Sequence, residues 1–273
     1  MTSILITGAS SGIGRALALE YAASGIRLAL LGRNVARLES VAVSCRAKGA
    51  EIVTATIDVR DRAGLAAWIV AMDDAAPLDL VIANAGISTG LGRGRVTENP
   101  EAVRATMAIN FDGALNTVDP VIPRMLARGR GQIGFLGSLA GYHALPYSPA
   151  YCASKAALHA YAGALRGGLA PLGLRVSLIA PGFIATAMTE KIVSWKPLRM
   201  SDVRAARIIR RGLDRGAAVI AFPRLLAWTV RLVGLLPARW VDWVMRQARV
   251  DIPETREEAA KRGQDSTLDP PRD

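Results

Sequence analysis

The chain has 273 residues, of which 51% are hydrophobic, and a formal net charge of +11; this composition excludes a disordered protein and provides for a sizeable core. Its two cysteines, Cys45 and Cys152, lie far apart and form no CxxC pair, so we predict neither a disulfide framework nor a metal site. The basic charge would suit nucleic acid, but zinc-finger spacings and RNA-recognition signatures are missing from the sequence; we therefore expect no nucleic-acid partner and favour an anionic lipid or a phosphorylated ligand.

Seven apolar runs alternate with longer stretches of helical periodicity. Each run is continuous rather than alternating, as in strands that are buried on both faces of a parallel sheet. The runs are residues 3–7, 27–31, 51–57, 78–83, 131–136, 175–180 and 217–222. With right-handed crossovers they predict a doubly wound, Rossmann-like α/β domain over residues 1–222, a seven-stranded parallel sheet with helices on both faces. The first run begins without a basic segment or a cleavage-type site, so we expect a cytoplasmic protein.

A glycine-rich turn follows the first predicted strand. The segment TGASSGIG places Gly8, Gly12 and Gly14 before a predicted helix. Glycines at such a turn let backbone N–H groups approach a pyrophosphate, and the helix N-terminus adds favourable dipole charge. A tight strand-to-helix connection without any ligand would also use glycine. The position after the first strand therefore favours a dinucleotide site.

The second predicted strand ends in LLGRN, where an NAD-binding fold usually carries an acid for the adenosine ribose. The residues at this point are Gly32, Arg33 and Asn34. An arginine suits a 2′-phosphate instead, through charge-assisted hydrogen bonds. Arg33 thus predicts NADP(H), with NAD(H) as the alternative cofactor. The competing interpretation of Arg33 is a solvated loop residue in a basic chain.

The segment YCASK places Tyr151 and Lys155 four positions apart, hence on one face of a predicted helix. A fixed cation beside a phenol favours the phenolate and prepares the group to donate or accept a proton. Taken alone, such a pair is more often part of an ordinary surface helix. Whether Tyr151 and Lys155 form a catalytic pair therefore depends on the other motifs of the chain. One of these is the small-residue turn ANAG (83–86) at the end of the fourth predicted strand.

In their order along the chain, these motifs resemble those of the short-chain dehydrogenase/reductase family, single-domain NAD(P)-dependent enzymes. The resemblance extends from residue 3 through PGFIAT (181–186), with Ala83 standing where many members have asparagine. It covers too many ordered motifs to be coincidence. The cofactor-binding positions that the residues and the resemblance imply are Gly8, Ser10, Ser11, Gly12, Ile13, Gly14, Arg33, Asp58, Val59, Asn84, Ala85, Gly86, Tyr151, Lys155, Pro181, Gly182, Ile184 and Thr186.

The resemblance also implies four catalytic residues, Asn110, Ser138, Tyr151 and Lys155. Tyr151 is expected to exchange a proton with the substrate oxygen, and Ser138 to hydrogen-bond that oxygen as charge develops. Lys155 is expected to lower the pKa of Tyr151 and to bind the nicotinamide ribose, and Asn110 to hold a water that links Lys155 to solvent. Neither histidine of the chain completes a triad or a metal cluster, so both are expected to be non-catalytic.

Residues 223–250 form a C-terminal extension that is more apolar and richer in tryptophan than the predicted catalytic domain requires. We predict two amphipathic helices, the first starting at Pro223 and the second carrying Arg239, Arg246 and Arg249. Tryptophans with basic flanks suit peripheral contact with a membrane surface. A lid over the substrate pocket or an oligomer interface fits the pattern equally well. Residues 251–273 are acidic, with few apolar side chains, and are predicted to be disordered.

Residues and resemblance together predict an NADP(H)-dependent oxidoreductase that transfers hydride between nicotinamide and a carbonyl or secondary alcohol. The apolar extension favours a hydrophobic or lipid-like substrate. The alternatives are an NAD-linked alcohol dehydrogenase and a non-catalytic, NADP-sensing scaffold at a membrane. We expect a cytoplasmic homo-oligomer with peripheral contact at the inner face of a membrane.

Overall fold

The computed structural model describes residues 1–91, 96–190, 198–234, 236–237 and 239–241. Its strands are β1 (Thr2–Thr7), β2 (Ile26–Leu31), β3 (Glu51–Ala55), β4 (Leu80–Ala83), β5 (Gly131–Leu136), β6 (Leu174–Pro181), β7 (Ile184–Ala185), β8 (Met200–Ser201) and β9 (Val219–Phe222). Its α-helices are α1 (Gly12–Tyr21), α2 (Val35–Arg46), α3 (Arg62–Ala75), α4 (Pro100–Met107), α5 (Gly113–Val118), α6 (Ile122–Ala127), α7 (Pro149–Leu169), α8 (Ala187–Glu190), α9 (Asp202–Asp214) and α10 (Arg224–Val233). A π-helical segment, Ala108–Asp112, joins α4 to α5.

Seven strands form one parallel sheet in the order β3-β2-β1-β4-β5-β6-β9. Ile4 of β1, for example, lies between Leu28 of β2 and Leu80 of β4. The chain builds outward from β1 to β3, then crosses back to β4 on the other side of β1, so the strand order reverses between β1 and β4. The predicted doubly wound sheet is therefore confirmed. A separate pair, β7 with β8, was not predicted from the sequence because strands of two residues carry no periodicity.

The core consists of two apolar layers, one on each face of the sheet. Along β1, Ile4 and Ile6 point into the layer shared with α1 and α9, whereas Leu5 points into the layer shared with α3 and α7. All three side chains are at most 1% exposed. Successive side chains of a strand point to opposite faces, so a strand covered on both faces needs apolar residues without alternation.

The helix α10 lies beside the carboxyl edge of the sheet. Ala227 on its inner face packs with Leu139, which follows β5, and with Ala180 of β6. On its outer face Leu225, Trp228 and Leu232 are exposed, by 71%, 60% and 58%. The predicted second helix of the extension falls largely on residues 242–250 and the predicted disordered tail on 251–273, both outside the described residues.

Among the residues that the structure describes, none of the helices has both the length and the apolar character needed to cross a membrane.

Candidate active site

One cavity of about 320 Å³ opens where β1, β2, β4, β5 and β6 reach their carboxyl ends. Its volume falls within the roughly 300–1,000 Å³ of small-molecule sites. It lies at the point where the strand order reverses, the usual ligand position in open α/β sheets. The predicted site residues that line it are Gly8, Ser10, Ser11, Gly12, Ile13, Arg33, Asp58, Val59, Asn84, Ala85, Gly86, Ser138, Tyr151, Lys155, Pro181, Gly182, Ile184 and Thr186.

Two predicted residues, Gly14 and Asn110, support the cavity from behind its wall. Gly14 lies in the first turn of α1, and a Cβ at this position would be 2.3 Å from the Gly8 carbonyl oxygen and 2.5 Å from Asn84 Nδ2. Asn84 Nδ2 also donates to the Thr7 carbonyl at 2.7 Å, which ties the end of β4 to the end of β1. Glycine at position 14 therefore allows the helix to close onto the turn.

The end of β2 forms a cationic end of the cavity. The Arg33 side chain is 63% exposed, and its Nη1 lies 3.7 Å from Asp58 Oδ2. Asp58 is paired more closely with Arg60, at 2.8 Å, and this hydrogen bond holds the pKa of Asp58 below its ordinary value. An exposed ion pair such as the one between Arg33 and Asp58 contributes little stability. Because Arg33 is both exposed and weakly paired, it is accessible to a ligand.

Arg37 also lines this end of the cavity and was not predicted from the sequence. It lies in the first turn of α2, where its backbone N–H donates to the Asn34 side chain at 2.9 Å. The signal was available in principle, because a residue four positions after Arg33 in an adjoining helix lies on the same side of the chain. The four-residue spacing between Arg33 and Arg37 indicates a shared side only if α2 begins just after Arg33, and the sequence did not predict that start to the residue.

Tyr151, Lys155 and Ser138 meet at the opposite end of the cavity. The first turns of α7 carry Tyr151 and Lys155, and Ser138 follows β5. All three residues line the cavity at this end. Lys155 is 4% exposed, and its Nζ donates to the Leu136 carbonyl at 2.8 Å and lies 5.7 Å from the centroid of the Tyr151 ring.

Burial controls the titration of this group of side chains. It raises the pKa of Tyr151, and the neighbouring Ser138 side chain acts in the opposite direction. It also lowers the pKa of Lys155 to about 8. The family resemblance implies that Lys155 lowers the tyrosine pKa, whereas here the opposing contribution comes from Ser138. The physical reason is that burial disfavours both the phenolate and the ammonium.

Asn110 lies in the π-helical segment and is fully buried. Its Oδ1 accepts from the Ile87 backbone N–H at 2.8 Å, and its Nδ2 donates to Ile87 O and to Ser154 Oγ, both at 3.0 Å. It thereby joins the segment after β4 to α7. A Cβ on Gly86 would be 3.1 Å from Asn110 Oδ1 and 3.6 Å from Lys155 Nζ, so these two side chains flank one glycine. Such π-helical turns are frequent at functional sites.

His159 lies one turn beyond Lys155 on α7. Burial is the main reason that the pKa of His159 is lowered to about 4, and the nearby charges of Lys155 and Arg231 act in the same direction. A lowered pKa means that the unfolded chain takes up the proton first as the pH falls. Stability is therefore retained above about pH 6.5 and is lost progressively as the pH falls toward 4.

We expect this histidine to cost the wild type about 2 kcal/mol of unfolding free energy between pH 7 and pH 5, because at pH 5 mainly the unfolded chain is protonated at this site. Urea denaturation at both pH values should show a smaller loss for His159→Gln, which does not titrate. The other titrating groups contribute equally to the loss of unfolding free energy in the two proteins, so their contributions cancel in the comparison. Equal losses in the two proteins would contradict the assignment of a low pKa to His159.

Within the described parts of the chain, no group of three His, Cys, Asp or Glu side chains is arranged to hold a metal ion.

The family model described as short chain dehydrogenase matches residues 2–197. An uncharacterised oxidoreductase of Myxococcus xanthus is 36% identical over 246 residues, which are 90% of this chain and 96% of that protein.

Two solved structures extend the likeness to three dimensions. A short-chain dehydrogenase from Sphingobium yanoikuyae in complex with NADPH has a TM-score of 0.74 at 25% identity, covering 100% of this chain and 98% of that one. A short chain dehydrogenase from Mycobacterium paratuberculosis bound to NAD has a TM-score of 0.72 at 25% identity, covering 83% and 98%. The chain belongs to the short-chain dehydrogenase/reductase family and is an oxidoreductase.

Proposed function

We propose that this protein is an NADP(H)-dependent carbonyl reductase, or alcohol dehydrogenase in the opposite direction, that acts on a hydrophobic substrate. The observation that carries the proposal is the meeting of Tyr151, Ser138 and Lys155 at one end of a cleft whose other end carries Arg33. An acid–base group and a cationic site are thus joined by a glycine-lined wall.

The wall of the cavity fits a dinucleotide. Gly12 and Ile13, in the N-terminal turn of α1, line the cavity, and the free backbone N–H groups of a first helical turn suit a pyrophosphate. Arg33 and Arg37 would hold a 2′-phosphate, for which guanidinium groups have the matching charge and donors. Lys155 would bind the nicotinamide ribose. When bound, the nicotinamide supplies or accepts the hydride.

The protein's own residues move the proton. In reduction, the Tyr151 hydroxyl gives its proton to the carbonyl oxygen of the substrate, and Ser138 stabilises the charge that develops on that oxygen. The product is an alcohol, and Tyr151 regains a proton from solvent. Lys155 stabilises the transient phenolate. Oxidation of the alcohol reverses each step.

Apolar side chains of the same cavity support the proposed substrate class. Ile87, Ile184 and Met188 line the cavity together with Leu136. Apolar walls with few polar groups select ligands by shape and by burial of apolar surface. A ketone or aldehyde with a large apolar body is therefore the best match.

The direct test is a fluorescence titration of the purified protein with NADPH and NADH in parallel, followed by turnover of aliphatic and steroid-like ketones measured at the nicotinamide absorbance. Tighter NADPH binding with turnover of an apolar ketone supports the proposal. Tighter NADH binding would favour an NAD-linked alcohol dehydrogenase. NADPH binding without turnover of any ketone would favour the sensing scaffold.

We also propose that the outer face of α10 contacts an anionic membrane surface. Leu225, Trp228 and Leu232 on this face are more than half exposed. The flanking Arg224 and Arg239 are exposed as well, and the chain as a whole is basic. An apolar face with basic flanks matches the interface of an anionic bilayer.

Replacing Trp228 and Leu232 together by serine should lower co-sedimentation with phosphatidylserine-containing vesicles by at least about tenfold, since full burial of one such side chain is worth roughly 1.5–3 kcal/mol. Val203→Ser, a change at an exposed apolar residue of α9, is the matched control. Unchanged sedimentation would contradict membrane contact. A change of oligomeric state in light scattering would instead identify the face as a subunit interface of the predicted homo-oligomer.

A further inference from the structure

The segment that follows Ser138 is held from the outside by α10. Leu139 packs in one apolar cluster with Ala227 of α10, and Tyr142 and Leu226 border this cluster. Near the end of α10, a Cβ on Gly234 would be 3.9 Å from the Tyr142 carbonyl oxygen. The C-terminal helix therefore rests directly on the segment that leads away from the candidate catalytic serine.

Arg231 makes the polar part of this contact, across 89 positions of sequence. Its Nη2 donates to the Tyr142 hydroxyl at 2.7 Å, and its guanidinium carbon lies 4.5 Å from the centroid of the same ring. The two contacts restrain Tyr142 both at its hydroxyl and across its face. Arginine suits this double contact because its guanidinium is planar and always charged.

Behind Tyr142, the His159 ring supports the turn that contains Ser138. The Tyr142 and His159 rings meet with centroids 4.5 Å apart and an interplanar angle of 64°. His159 Nε2 would be 2.7 Å from a Cβ placed on either Gly137 or Gly141. These two glycines lie on either side of Ser138 in the sequence, so the His159 imidazole packs against both ends of the turn that contains Ser138.

Arg231, Tyr142 and His159 thus form a stack of side chains. His159 also connects this stack to α7, which carries other candidate catalytic residues. It follows Lys155 by four positions on α7, and the same Cβ on Gly141 would be 2.9 Å from the Lys155 carbonyl carbon. His159 therefore joins the turn that contains Ser138 to the helix that carries Tyr151 and Lys155. None of this is visible from the apolar pattern of the extension.

We propose that Arg231 is a positioning residue, which acts through Tyr142 and His159 to hold the Ser138 turn against Tyr151. The consequence for catalysis rests on the proposed function, whereas the ordering of the turn does not. The outer face of α10 stays available for a membrane because Arg231 points inward.

The first experiment measures the ordering of the turn alone. Amide hydrogen exchange of peptides that cover residues 138–148 should be faster in Arg231→Ala than in the wild type, by about tenfold, because the stack is released. Arg224→Ala removes an exposed arginine from the same helix and should leave this exchange unchanged. Arg231→Lys, which keeps the charge near the ring, should give an intermediate rate. Equal exchange in the two alanine variants would overturn the proposal, whatever the enzyme's substrate is.

The second experiment asks whether Arg231 acts through Ser138. With an apolar ketone as substrate, Arg231→Ala should lower kcat about tenfold and leave the NADPH Kd unchanged, a smaller loss than the roughly 10²–10³-fold that removal of an oxyanion donor costs. Tyr142→Phe, which keeps the ring and loses the hydroxyl, should fall between the wild type and Arg231→Ala.

The double variant Ser138→Ala with Arg231→Ala distinguishes positioning from general damage. If Arg231 acts through the serine, adding Arg231→Ala to Ser138→Ala should lower kcat less than twofold further, since residues that work as one unit are not additive. Fully additive losses would mean that Arg231 only supports the fold, and would overturn the proposal. A protein without turnover would contradict the proposed function but leave the hydrogen-exchange test standing.

Discussion

Replacing Tyr151 by phenylalanine should lower kcat by roughly 10²–10⁴-fold, the usual contribution of a positioned general acid. The ring remains, but the hydroxyl that would donate the proton is lost. Because Arg33 and the glycine-lined wall of the cavity are untouched, NADPH should bind with nearly the wild-type Kd. Turnover of an apolar ketone and a fluorescence titration of NADPH, made on the same preparation, separate the two effects.

Tyr161→Phe is the matched control for this variant. Tyr161 belongs to the same helix, and its ring packs edge-on against Phe111 and Phe135, at 6.1 Å and 5.9 Å between centroids. Phenylalanine preserves both ring contacts, so activity should be unchanged. If Tyr151→Phe kept the turnover of the wild type, Tyr151 would not be the proton donor, and the proposed chemistry would have to be abandoned.

Replacing Arg33 by aspartate should reverse the cofactor preference. The change removes charge-assisted hydrogen bonds to the 2′-phosphate, each worth roughly 1.5–3 kcal/mol. It also introduces a carboxylate that repels the phosphate and can accept hydrogen bonds from the ribose hydroxyls of NADH. We expect the ratio of the NADH Kd to the NADPH Kd to fall on the order of 10²–10³-fold, and the loss of NADPH affinity to shrink at high salt because the field around exposed charges is screened.

Arg46→Asp changes the net charge of the protein by the same amount at a distance from the cavity. Arg46 lies in the last turn of the same helix that carries Arg37, and it pairs with Glu39 at 2.6 Å. It should leave the cofactor preference unchanged. A preference that is equally unaffected in Arg33→Asp would identify Arg33 as a solvated loop residue and would remove the main support for NADP(H).

The parts of the site that could be predicted from the sequence are those that local patterns encode. Gly8 and Gly14 directly follow the first predicted strand, and Arg33 follows the second, so the sequence alone places all three at the carboxyl edge of the sheet. Arg37 shares that edge but stands in a helix whose start was not predicted to the residue. Asn110 was predicted as a site residue, yet its bonds to Ile87 and Ser154 depend on a π-helical turn that no periodicity announces.

By itself, the sequence determined the doubly wound sheet, the glycine-rich turn after β1 and the Tyr151–Lys155 pair, because strands buried on both faces, glycine turns and helical spacing are local features of a chain. Only the tertiary structure decided which face of the C-terminal helix is buried and brought Arg231 onto Tyr142 and His159 behind Ser138. Contacts between residues so distant in sequence arise when separately formed elements pack together, and no local pattern records which partner each will meet.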